Sequence, residues 1–284
     1  MSMSLQPHLV VLVLAAAFMH AAWNGLAKGS GDKVAVFAVT QAVGTLVAAA
    51  VLPFLAPMAA DAWPFMLASA VIHNGYFFFL MKAYQNGDLG HVYPLARGSA
   101  PLLVAGLGAA FAAETPTAGG LAGIGLISVG IASLAHTGRL APGAARAAGL
   151  AFATALFIAA YTLVDGLGVR ASTAPITYAA WLFLLSGLPF CAITVACRRH
   201  SLGRDLGLAW RPGTVAGLLA ALGYAIVLYA MSQGALAYVS ALRETSVLFA
   251  ALIGAVALKE SFGARRIAAA VVIAAGLIVL QTAG

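Results

Sequence analysis

Charge is what this 284-residue chain has least of: Lys, Arg, Asp and Glu make up 8% of it, and only eight residues are acidic. A soluble domain carries about a quarter charged residues, so a chain with a water-facing surface throughout is excluded. Cysteine is scarce as well. Cys191 and Cys197 are the only two, six positions apart in one apolar run, a spacing that suits neither a zinc site nor a disulfide framework. Both read as lipid-facing or packed. The sequence has no HExxH, no GxSxG, no phosphate-binding glycine loop and no cluster of carboxylates, which removes metallohydrolase, serine hydrolase and nucleotide hydrolysis from consideration. The chain is read as no enzyme, with no metal and no cofactor. A net charge of +7 would fit a nucleic-acid partner only if the basic residues formed a stripe with interleaved aromatics. They are scattered over short connections instead, so no such partner is expected.

Apolar residues fill the space that charge leaves. They make up 63% of the chain, and the mean hydropathy is +0.99, so a lipid bilayer is the expected surrounding. Apolar runs lie near 9–27, 34–55, 63–86, 91–113, 119–137, 146–165, 174–197, 212–234, 237–258 and 265–281, each long enough to cross roughly 30 Å of hydrocarbon as a helix. The fold class expected is an all-α integral membrane protein of ten transmembrane helices. Connections such as KGSGDK (28–33), ETPTAGG (114–120) and KESFGARR (259–266) leave no room for a soluble domain. The first run opens the series and does not resemble a cleavable signal peptide ahead of a soluble domain.

The chain also repeats itself. AYQNGDLGHVYPLARGSAP (83–101) set over AMSQGALAYVSALRETSVL (230–248) matches Ala83, Gly87, Leu89, Val92, Leu95 and Ser99 with Ala230, Gly234, Leu236, Val239, Leu242 and Ser246. One slipped residue later, Glu114 meets Glu260 and Gly130 meets Gly276; earlier, HAAWN (20–24) meets IAAYT (158–162). Residues 1–140 and 141–284 are therefore expected to form two five-helix repeats within one transmembrane domain. Five is odd, so the second repeat enters the membrane in the opposite sense, the inverted-repeat plan of many secondary transporters. Orientation follows from Lys and Arg in short loops. With both termini outside, twelve of the fifteen basic residues fall on the cytoplasmic side, Arg170 alone falls on the other, and Arg97 and Arg243 lie within spans.

At this point the residues carry a family resemblance. Ten helices in two halves, closing with ALRETSVLFAALIGAVALKESFGARRIAAAVVIAAGLIVL, resemble the EamA-type branch of the drug/metabolite transporter superfamily over essentially the whole chain. The LRxTS-like start of the ninth run and the LKES turn carry most of it, with YPLARGSAP and AAET as their first-half counterparts. The resemblance implies exporters of amino acids and other small metabolites, with a cavity lined by the third, fourth, eighth and ninth helices and the first and sixth beside it. The sequence departs from the common pattern at Arg97 and at HAAWN, so no one relative's substrate carries over.

Candidate substrate-binding residues come from polar and aromatic groups inside the runs. His73, Tyr76, Phe77 and Tyr84 recur at helical steps on the third run, with Asn74 beside them. Tyr224 stands on the eighth run, and His20, Trp23 and Asn24 on the first. Tyr178, like Trp63 and Trp210, sits near a helix end and reads as part of an interfacial aromatic belt. Within YVSALRETSVLF (238–249), Arg243 and Glu244 are adjacent charges in an apolar setting, and Glu244 is the repeat counterpart of Arg97. An intramembrane charge costs roughly 2.5–3.5 kcal/mol on insertion scales and marks a pathway or a partner. Opposite charges at inverted depths suit the two ends of a zwitterion.

The function expected is a secondary transporter exporting small polar metabolites, foremost amino acids and among them aromatic or other large ones. Quaternary ammonium or other organic cations, and a lipid-linked head-group flippase, are the alternatives. The expected partners are the bilayer, a small-molecule substrate and protons carried by Glu244 or His73, in a monomer or weak homodimer of the bacterial inner membrane.

Overall fold

The computed structural model describes residues 5–28, 33–86, 89–135, 144–198, 200, 202–256 and 263–282, and among them every regular element is helical. In chain order these are α1 (Pro7–Lys28), α2 (Lys33–Val51), α3 (Trp63–Asn86), α4 (Leu89–Phe111), α5 (Ala118–Ala132), α6 (Ala144–Ser172), α7 (Pro175–Arg198), α8 (Leu202–Gln233), α9 (Leu236–Glu244), α10 (Ser246–Val256) and α11 (Ala264–Thr282), with short 3-10 turns at Leu52–Phe54 and Ala60–Ala62. Among the described residues, seven helical stretches are long and apolar enough to cross a membrane. The hydropathy of α3 is diluted by His73 and Asn74 and that of α4 by Arg97, Pro94 and Pro101, while α5 has only 15 residues.

Three boundaries differ from the sequence expectation, each for a physical reason. The sixth run does not stop at 165, because α6 continues through GLG to Ser172. Gly166 and Gly168 are contact points there: a side chain on Gly166 would strike Leu236, and one on Gly168 would strike Tyr178 and Phe65. The eighth run begins ten residues before Pro212, which α8 holds in its interior, as helices in lipid often do when neighbours satisfy the freed backbone group. The ninth run is broken at Thr245, whose N–H and hydroxyl both bond Leu242 O, at 3.0 and 2.6 Å. That local bonding replaces the regular ladder and sets off α10 directly behind the Arg243–Glu244 pair.

Small residues set the packing. α5 lies against α11, α3 and α4 against α6, α1 against α8 and α10, and α2 against α7 and α8. Between α5 and α11 the backbones approach so closely that a Cβ on Gly276 would lie 2.9 Å from Gly123 O and 2.9 Å from Ile127 N, while one on Gly130 would meet Ile273 and Ala269 O. Adding 146 to the number of each α5 member of these contacts returns its α11 counterpart. Elsewhere Gly75 on α3 faces Phe157 on α6, and Gly223 on α8 faces Met19 on α1. Such close approaches between small residues are how helices associate where lipid offers no hydrophobic drive.

Gly276→Ala is therefore expected to lower stability by about 1–3 kcal/mol through overpacking against backbone. Gly125→Ala on α5, where an added Cβ meets nothing within 4 Å, should be neutral or slightly stabilising. Thermal denaturation of the two variants in detergent compares them directly.

Candidate functional site

The charges inside the bundle meet one another. Arg97 Nε on α4 lies 2.8 Å from Glu244 Oε2 on α9, and Arg243 Nη2 lies 3.5 Å from Glu244 Oε1. The side chains are at most 5% exposed. Arg97 and Glu244 each stand eight residues into their helices, about 12 Å from the ends at which α4 and α9 begin. The expectation of separate positive and negative stations is thereby corrected: Arg97 and Glu244 neutralise each other. Arg97 Nη2 also approaches His20 Nε2 on α1 at 3.3 Å and donates to Ser246 Oγ at 3.4 Å, with its guanidinium carbon 5.8 Å from the centre of the Tyr93 ring. Arg243 Nη2 donates to Tyr161 OH on α6 at 3.5 Å. Two guanidiniums thus share one carboxylate.

Half-buried rings surround this cluster. His73 on α3, fixed by Ser69 at 3.1 Å, stacks on Tyr161 with centroids 4.2 Å apart and meets the edge of Tyr224 at 5.9 Å. Tyr76 packs against Tyr161 and Phe77. Trp23 bridges His20 and Phe37, and Phe37, Phe77 and Phe190 form a mutual edge-on set with centroids 5.2–5.8 Å apart. Asn74 and Asn24 play a more local part than expected, since each amide N–H donates to the carbonyl four residues back on its own helix, Ala70 O and His20 O. Tyr84 belongs to α3, but its side chain lies outside the described residues.

The sequence reading missed Asp165. It sits on α6 with no exposed surface, and it accepts hydrogen bonds from Tyr224 OH at 2.6 Å and Tyr178 OH at 3.1 Å. Among the described residues no Lys or Arg pairs with it. The signal was present, since an acidic residue among so many apolar ones is a site candidate on the same ground as Glu244. Ending the run at 165 hid it at a supposed helix terminus. The same geometry corrects Tyr178, which is wholly buried against Asp165 and not part of an interfacial belt.

A second ion pair closes the end of the bundle where α6 and α8 finish and α9 begins. Arg170 Nη2 lies 2.5 Å from Glu114 Oε1, and Arg170 also donates to Met231 O and Gly234 O at the end of α8, at 3.0 and 2.8 Å. Glu114 Oε2 accepts the N–H of Leu236 at 2.7 Å, a carboxylate at a helix N-terminus where the helix dipole favours it. One pair thereby ties the α4–α5 connection to three other helices.

Residues 145–282 match the EamA-like transporter family. An EamA-like transporter domain is thus present in the second half of the chain. With the seven membrane-length helices, the match makes this an integral membrane protein. A solved crystal structure is similar over 100% of both chains, with a TM-score of 0.78 and 19% sequence identity, a likeness of fold. No curated protein matches the chain.

Removing one member of a buried ion pair leaves the other uncompensated, at a cost of about 3–5 kcal/mol. Glu244→Gln, which strips both guanidiniums of their partner, should destabilise more than Arg97→Gln, which leaves Glu244 with Arg243. The double variant should be more stable than Glu244→Gln alone. A double-mutant cycle by thermal denaturation in detergent gives the order.

Proposed function

We propose that this chain is a secondary transporter that exports small polar metabolites, foremost amino acids, by alternating access between two inverted five-helix repeats, residues 1–140 and 141–284. The observation that carries the substrate class is the charge balance at the centre of the bundle. Arg97 and Arg243 share Glu244, leaving one positive charge in surplus beside Tyr161, while Asp165 has only neutral phenols as partners among the described residues and leaves one negative charge in surplus. Tyr161 and Asp165 are four residues apart on α6 and so lie on one helix face. A zwitterion fits this arrangement with its carboxylate toward Arg243 and its ammonium toward Asp165. The half-buried His73, Tyr76, Phe77 and Tyr224 supply edges and faces to a large or aromatic side chain, contacts worth about 0.5–1.5 kcal/mol each.

Ten spans follow if α3, α4 and α5 cross with the seven apolar stretches, α9 and α10 counting as one. The contacts support the inverted repeat. Shifting each helix by five spans exchanges α3 against α6 with α8 against α1, and α4 against α6 with α9–α10 against α1, while α2 with α7, α4 with α9 and α5 with α11 are contacts between counterparts. The glycine contacts of α5 and α11 exchange in the same way. In the orientation with both termini outside, the Glu114–Arg170 pair closes the outer side of the site, and the rings of Trp23, Phe37, Phe77 and Phe190 close the cytoplasmic side. Rocking of the two halves would open one closure as the other forms.

A C-terminal reporter active only in the cytoplasm should stay silent in the bacterial inner membrane; strong activity would reverse the orientation. In proteoliposomes tested with radiolabelled amino acids and with choline, Arg243→Gln should abolish amino-acid transport and leave any movement of the permanent cation intact. Organic cations are the rival substrate class, because Asp165 and the surrounding rings would serve them with no use for Arg243. Amino-acid transport that survives Arg243→Gln in correctly inserted protein would sink the zwitterion reading.

A further inference from the structure

Two acidic side chains are wholly buried in the described part of the bundle, and their settings are opposite. Glu244 faces two guanidiniums. Asp165 faces no fixed cation within ion-pair distance among the described residues, and both of its oxygens are occupied by phenolic donors, Tyr178 on α7 and Tyr224 on α8. We infer that Asp165, and not Glu244, is the site at which protons are exchanged for substrate: one place that holds either a proton or a primary ammonium group.

The chemistry follows from the partners. At 2.6 Å, the Tyr224 bond to Asp165 is a short hydroxyl-to-carboxyl hydrogen bond. A buried anion is costly without a counter-charge, and with no fixed cation paired to Asp165 among the described residues a mobile one can supply it. A proton forms an O–H bond on one carboxylate oxygen, after which the group is a donor as well as an acceptor and the bond from the phenol on that oxygen is weakened. An ammonium group would supply its charge from the side of Tyr224 and His73, which are partly exposed while Asp165 is not. The two ligands compete for one charge, and that competition is what couples a proton moving one way to a substrate moving the other.

The groups around Asp165 fit this assignment. Its carboxylate ties α6 to α7 and to α8, so its state bears directly on how the second half holds together. From α3 the nearest titratable group is His73, stacked on Tyr161 one turn along α6. From α9 it is Arg243, engaged with Tyr161 and Glu244. From α4 it is Arg97, engaged with Glu244 and close to Tyr93, and from the 3-10 turn against α6 it is Asp61, which is exposed. No other carboxylate within the bundle is left with neutral partners among the described residues, because Glu114 is paired with Arg170.

This assignment rests on the transporter reading, and its test does not. Infrared difference spectra of the purified protein between alkaline and acid pH, with the proton as the only ligand, should show a carboxylic-acid carbonyl band that disappears in Asp165→Asn and persists in Glu244→Gln. A mixture of the twenty amino acids added to weakly buffered wild-type protein at acid pH should release protons, and its binding should weaken about tenfold per unit of falling pH. Asp165→Asn should do neither. A band that persists in Asp165→Asn and vanishes in Glu244→Gln overturns the inference, as does unchanged proton release from Asp165→Asn. A band lost in Asp165→Asn with no amino acid bound by the wild type would uphold the proton site and defeat the substrate reading.

Discussion

The ion pair between Arg97 and Glu244 fixes the centre of the molecule. In the proposed repeat the two residues occupy equivalent positions, and their side chains meet at 2.8 Å. Residues related by a two-fold axis can touch only on or beside that axis. The contact therefore marks where the proposed axis passes, between α4 and α9. Two identical copies would bring like charges together at this point, at a cost that grows as water is excluded. Having the two halves in one chain lets one position become Arg and its counterpart Glu, and repulsion becomes a cross-link. The break at Thr245 and the kink-favouring prolines Pro94 and Pro101 lie close to that cross-link in sequence. A rigid charged pivot flanked by deformable helix is a suitable centre for two rocking halves.

Around that pivot, each remaining contact restrains one end of the site. Glu114 and Arg170 bind the α4–α5 connection to the ends of α6 and α8 and to the start of α9, using full charges and helix-terminal groups near the polar boundary. At the other end the restraint is a set of rings from α1, α2, α3 and α7. The two closures differ in kind. An ion pair with Arg170 about one-third exposed is weakened by water and salt, whereas ring contacts depend on apolar burial. In the proposed alternation an electrostatic seal would be exchanged for a hydrophobic one, and their relative strength would set which side stands open at rest.

How far this was legible in the sequence depends on the kind of signal. The membrane setting and the apolar runs could be read because a bilayer imposes a length and a composition on every span. His73, Tyr76, Arg97, Arg243 and Glu244 were legible as polar groups at helical spacing in an apolar background. Their mutual arrangement was not. The depth count put Arg97 and Glu244 at matching distances from opposite faces, and only the packing of α4 on α9 reveals that they touch. Asp165 was missed because glycine has two meanings: Gly166 and Gly168 looked like a helix end, and their real part is to admit Leu236 and Tyr178 against α6. Asn24 and Asn74 misled for a related reason, as an amide inside a helix can satisfy its N–H on its own backbone.

Glu244 and Asp165 show why burial alone does not identify the working carboxylate. Both are fully enclosed. Glu244 has its counter-charge built in, so a cation arriving there must displace a guanidinium that is itself buried and cannot leave. Asp165 has hydrogen-bond donors but, among the described residues, no fixed counter-charge, which suits the proposed role of accepting a cation and also losing one. The residue that holds the fold together and the residue that turns over are distinguished by whether their compensating charge belongs to the protein or arrives with the ligand. In this chain the fixed pair lies between α4 and α9, and the unpaired carboxylate lies on α6 one turn from Tyr161, the residue that Arg243 also touches. Through Tyr161 and His73, occupancy at the proposed exchange site would reach the pivot without breaking it.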